Sequence, residues 1–147
     1  MLIPKKYHIH LVALIAVSVI MFYPSLSKRI DPQILKAGTA AADDFLQLVD
    51  NERYAESWEN ASTLIKEKIF PEVWDQQLLA MRSKVGALNN RSQDNASMSD
   101  WAEGAPDGEY LTLKYASSFE KQASAIETII LVLEEDNSWR VAGYFIK

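Results

Sequence analysis

At Gly86 the spacing of apolar residues changes its period, and that change leaves few architectures open. Before Gly86, apolar side chains recur every three or four residues, the repeat of a helix with one buried face. After it, they alternate, the repeat of a strand with one buried face. Helical segments followed by strands, rather than interleaved with them, predict an α+β fold with helices laid on one face of an antiparallel meander.

Three helices are expected. Asp31-Pro32 is a start signal, because Asp caps a helix and Pro suits its first position. Ile34, Ala37, Ala41, Phe45 and Leu48 then share one face, and Asp50-Asn51 ends the helix. Tyr54, Trp58 and Ala61 give a short second helix, from which the turn Ser62 to Ile69 continues or breaks away. Pro71 opens the third, with Trp74, Leu78, Met81 and Val85 in register and Gly86 after its end.

Strands follow, three of them clear. Leu88 to Trp101 is polar and reads by its own pattern as a poor strand or a loop, and Ala105-Pro106-Asp107-Gly108 is a turn. From Glu109 to Phe119, Leu111, Leu113, Tyr115 and Phe119 share a face. Ala125 to Leu133 is apolar on both faces, which suits a central or doubly covered strand. Glu135 to Ser138 is a hairpin turn, and Trp139 to Ile146 alternates with Trp139, Val141 and Phe145 opposite Ala142, Tyr144 and Ile146.

The N-terminus carries a different signal. Lys5 and Lys6 precede an uncharged apolar run from Leu11 to Tyr23, followed by Pro24 and the small residues Ser25 and Ser27. This has the form of an export signal with a cleavage site after Ser27. Extended to Tyr7–Leu26, the run reaches spanning length, so a retained inner-membrane anchor is the alternative. The expected organisation is therefore 1–27 as signal peptide or anchor and 28–147 as one domain, periplasmic or otherwise in the cell envelope.

That division has a chemical consequence. The chain has 147 residues, no Cys, and two His, at positions 8 and 10. The expected domain thus holds neither imidazole nor thiol, the side chains on which most general-base, nucleophilic and transition-metal chemistry relies. Its acidic balance, 13 Lys and Arg against 20 Asp and Glu over 28–147, argues against nucleic-acid binding. No glycine-rich phosphate loop and no Gly-x-Ser-x-Gly elbow is present. Glu134-Glu135-Asp136 lacks the spaced ligands of a calcium loop and reads as a solvated turn. No metal and no cofactor is expected.

Residues 41–147 resemble a bacterial family designated domain-of-unknown-function family 4019. The resemblance lies in Phe45-Leu46-Gln47-Leu48-Val49-Asp50, Tyr54-Ala55-Glu56-Ser57-Trp58, Ala105-Pro106-Asp107-Gly108-Glu109-Tyr110 and Trp139-Arg140-Val141-Ala142-Gly143-Tyr144. It implies an export signal, a cone-like α+β fold of the nuclear-transport-factor-2-like superfamily with a curved sheet, and a strand over Leu88–Trp101. It transfers no catalytic residue.

Two functions compete on these residues. In the first, a non-enzymatic envelope domain binds a protein partner or a small apolar ligand, with Tyr54, Trp58, Trp74, Tyr115 and Tyr144 lining a pocket between helices and sheet. A homodimer through the open sheet face belongs to the same reading. Against the pocket stands the plainer expectation that these aromatics fill the core. In the second, an isomerase- or dehydratase-type enzyme uses a tyrosine and a carboxylate held in the cone. Glu127, a charge in an apolar strand, is the candidate acid, but it reads first as a solvent-facing or strand-end residue.

Overall fold

A computed structural model describes residues 29–147. The expected export signal or anchor lies outside the described residues. Among the described residues no helix is long and apolar enough to cross a membrane.

Four helices, α1 (Pro32–Asp50), α2 (Tyr54–Glu59), α3 (Thr63–Lys68) and α4 (Pro71–Val85), precede four strands, β1 (Leu88–Ser99), β2 (Tyr110–Phe119), β3 (Gln122–Leu133) and β4 (Trp139–Ile146). The strands form one antiparallel sheet in the order β1-β2-β3-β4. The α+β reading holds, with four helices in place of the expected three. The extra break falls at Ser62, whose side chain accepts from Ile65 N–H and starts α3. Its own N–H donates to Val141 O at 2.9 Å, so the sheet takes a bond that a continuous helix would have kept.

The start of α1 is as expected: the Asp31 carboxylate accepts from Gln33 N–H at 2.7 Å and Pro32 opens the helix. Its buried stripe differs by about one residue. Gly38, Ala42, Phe45, Leu46 and Val49 face the sheet, whereas Ala37 is exposed and Ala41 and Leu48 are half-buried. Gly38 explains the rotation, since a Cβ there would lie 2.1 Å from Leu111 Cδ2. The absent side chain lets the helix backbone rest on the sheet.

The inner face carries Leu111, Leu113 and Tyr115 from β2 and Ile129 and Leu131 from β3, all in one core with α1 and α4. The polar run 88–99 is a strand, as the family resemblance implied and periodicity did not. It sits at the sheet edge, where one side of the backbone and most side chains meet water, so polar residues suffice. Register shifts after Leu88 and after Gln93 interrupt its pairing.

A further shift decides the candidate site. Leu131 pairs with Val141 but Ile130 with Gly143, leaving Ala142 as an extra residue in β4. Simple alternation puts Tyr144 opposite Val141. The bulge resets the phase, and Tyr144 joins Trp139 and Val141 on the inner face, all three buried in the main core.

Candidate functional site

Glu127 corrects the sequence reading most sharply. Expected toward solvent or at a strand end, it is 0% exposed. The alternation that buries Ile129 and Leu131 also turns Glu127 inward, opposite Tyr115 on β2 and Ile146 on β4. A carboxylate in such a place needs compensation, because desolvating an unpaired charge costs several kcal/mol (about 3–5 when a partner is removed).

Four elements supply it, and α1 adds a second carboxylate. Arg91 of β1 donates through Nε to Glu127 Oε2 at 2.5 Å and through Nη2 to Oε1 at 2.9 Å. The Ser117 hydroxyl of β2 donates to Oε2 at 2.5 Å, and the Tyr144 hydroxyl of β4 to Oε1 at 2.6 Å. Arg91 also holds Asp50, the last residue of α1, through Nη1 at 2.7 Å and Nη2 at 3.0 Å. Arg82 of α4 reaches the same carboxylate at 2.8 Å and lies 4.0 Å from Glu127 Oε1. Two guanidinium groups face two carboxylates, so the formal charges balance. Asp50 stands at the negative end of the α1 dipole, and α1 has no basic residue in its last turn. The two arginines from other elements neutralise that end.

The electrostatics follow. Burial works against the Arg91 charge, but hydrogen bonds to Asp50 and Glu127 outweigh it and raise its pKa above the ordinary value. Burial, then the adjacent Glu127 charge, pushes the Tyr144 phenol well up. Burial, then the charge of Asp43, pushes Tyr115 up to about 12. Both phenols are therefore neutral at ordinary pH. Each Glu127 oxygen accepts two hydrogen bonds, which uses the lone pairs a carboxylate offers. A general base needs one of them within reach of a substrate proton.

The five aromatics named from the sequence divide by environment. Tyr54, Trp74, Tyr115 and Tyr144 belong to the main core, and Trp58 packs half-buried against it. Trp74 Nε1 donates to Ser57 Oγ at 2.9 Å and Trp58 Nε1 to Ile69 O at 2.9 Å. Phe45 meets the Tyr144 ring edge-on at 5.4 Å and the Trp74 ring at 6.3 Å. The Tyr115 hydroxyl is buried without a hydrogen-bond partner among the described residues.

A separate cleft of about 470 Å³ lies between α1 and β4, and none of those five residues lines it. Phe45, Leu48, Trp139 and Val141 give it an apolar floor and Ala41 a narrow wall, while Asp44, Arg53 and Arg140 stand among its polar residues. Arg53 pairs with Glu56, and Arg140 with Glu134 and Asp136. Among the described residues no group of three or more His, Cys, Asp and Glu is placed to hold a metal ion.

Sequence reasoning missed Asp50, Arg82, Arg91 and Ser117. Arg82 had a usable signal, since it follows Trp74 and Leu78 at four-residue spacing on the buried stripe of α4. Arg91 had none inside a polar run. Asp50 looked only like the end of a helix, and Ser117 like one more polar alternate.

No curated protein and no solved structure matches the chain. The model of a family described as "Protein of unknown function (DUF4019)" matches residues 41–144, a range that takes in all six residues of the buried cluster and both walls of the cleft. This chain belongs to the DUF4019 family.

Proposed function

We propose that the domain acts by recognition rather than by chemistry, as an exported envelope module of nuclear-transport-factor-2-like type. It binds a protein partner or a small ligand with apolar character. The saturated Glu127 carries this reading. Glu127, the one fully buried carboxylate among the described residues, spends its lone pairs on Arg91, Ser117 and Tyr144. The cleft between α1 and β4 supplies a surface for binding, with an apolar floor and polar rim of the kind small ligands and peptides use. Export rests on Lys5, Lys6 and the Leu11–Tyr23 run, with the N-terminal segment either removed or kept as the membrane tether. Native mass spectrometry of protein purified from the envelope tests all of this together. The expected spectrum shows an intact or shortened N-terminus and a retained partner or ligand.

One observation favours a second reading, an isomerase- or dehydratase-type enzyme. Tyr144 and Glu127 lie 2.6 Å apart in the buried interior, the pairing such proton transfers use. Turnover of any carbonyl or hydroxy substrate that disappears in both Tyr144→Phe and Glu127→Gln, with the fold intact by circular dichroism, would replace the first reading with this one. Pairing of two copies through the outer sheet face, where Ile126 is exposed, is a form of the first reading. A strict monomer in concentrated sedimentation runs removes it.

A further inference from the structure

We infer that the cleft takes an extended, basic peptide, added as a strand to the edge of β4. An aliphatic side chain of the peptide rests on Phe45, Leu48 and Trp139, and a Lys or Arg reaches Asp44. This rests on the recognition reading and names its ligand class.

Three observations converge on it. First, β4 is an edge strand, and its far side runs along the cleft through Trp139 and Val141. Backbone groups alternate in direction along a strand. Val141 O points away from β3, because it accepts from Ser62 N–H. The Val141 N–H and the N–H and C=O of Trp139, two residues earlier, share that direction. By that alternation they offer two donors and an acceptor along the stretch of edge that lines the cleft, the pattern that strand addition uses. Beyond them the Ser62 bond closes the edge, so the pairing segment is short and has a defined end.

Second, the floor is apolar and the volume small. A cleft of about 470 Å³ floored by Phe45, Leu48, Trp139 and Val141 admits a few residues and one buried side chain. A folded domain or a lipid chain pair does not fit that space.

Third, the charges around it select a cation. Arg53 is taken by Glu56, and Arg140 is shared by Glu134 and Asp136. Asp44 lines the cleft, and among the described residues it has no ion-pair partner. Four carboxylates thus surround two guanidinium groups, and the local excess is negative. A basic segment is attracted and an acidic one repelled.

The test uses the full-length chain, nitrogen-labelled, and an end-capped pentapeptide of alternating valine and lysine. A fully N-methylated copy serves as control, since it keeps the side chains and loses its N–H donors. The expected result is a shift of the Val141 and Trp139 amide signals with the plain peptide and little change with the methylated one. Asp44→Lys, an exposed substitution, should weaken binding about threefold, and Ala41→Trp, which fills the wall, should abolish it. Equal binding of the methylated copy overturns strand addition while leaving recognition at the cleft in place. Shifts elsewhere, or none at millimolar peptide, overturn the assignment of the cleft. An enzyme activity would sink the recognition reading by a different readout.

Discussion

Helix α1 covers two ends of one sheet that are held by different forces. Near Gly38 the contact is apolar: Leu111, Leu113, Ile129 and Leu131 are fully buried and the helix backbone lies against Leu111. Near Asp50 the contact is ionic, with Arg82, Arg91, Glu127, Ser117 and Tyr144 closing a hydrogen-bonded cluster. The apolar end gains from every surface removed from water, whatever its neighbours. The polar end gains only if every member is present, because each desolvated charge depends on its partner. Packing can be eroded gradually; a closed ion network fails when one member is lost.

Removing a partner at the polar end should therefore have the largest effect. Arg91→Met leaves Glu127 buried without its principal partner and should cost about 3–5 kcal/mol in urea denaturation. The double variant Arg91→Met, Glu127→Leu should recover part of that loss, since no unpaired charge is left at position 127, while the Ser117 and Tyr144 hydroxyls lose their acceptor. If the double variant is as unstable as the single, the cluster is not held by charge pairing and the contrast between the two ends disappears.

Next comes Tyr144→Phe, which deletes a hydrogen bond to a charged acceptor and should cost about 2 kcal/mol. At the apolar end, Gly38→Ala forces a methyl group toward Leu111. Overpacking costs about 1–3 kcal/mol, and the better helix propensity of alanine returns about 1 of it. The net destabilisation should be the smaller of the two, and it should persist in high salt. A Gly38→Ala protein less stable than Tyr144→Phe would reverse the ranking of the two ends.

Tyr115 adds a pH dependence on the alkaline side. The unfolded Tyr115 phenol titrates near 10.0, and in the folded protein it is pushed up to about 12. A folded pKa above the unfolded one means that the unfolded chain loses its proton first. The stabilisation is complete below pH 10 and is lost as pH rises toward 12. Ultraviolet tyrosinate titration should show a late-titrating phenol, absent in Tyr115→Phe. Tyr144, raised in the same direction, should titrate later still.

Much of the architecture was legible along the chain, because periodicity, caps and turns are local. Asp31-Pro32 started α1, Pro71 started α4, and Gly86 ended it with φ 78°. Alternation put Leu111, Leu113, Tyr115 and Phe119 on one face. The candidate site was less legible. Tyr144 and Glu127 were each singled out, yet alternation set Tyr144 on the face opposite Trp139 and Val141, and charge suggested water for Glu127. A single inserted residue, Ala142, reverses the phase of everything after it, and nothing in the local composition announces a bulge.

The sequence by itself determined the order of helices and strands, the acidic balance, and a domain stretch without histidine or cysteine, since each of these is a property of residues read one after another. Tertiary structure alone decided that Asp50, Arg82, Arg91, Ser117, Glu127 and Tyr144 meet. Those residues are spread over nearly a hundred positions and come from six elements. What binds them is the cost of a buried charge, which is set by the surroundings after folding and not by neighbours along the chain.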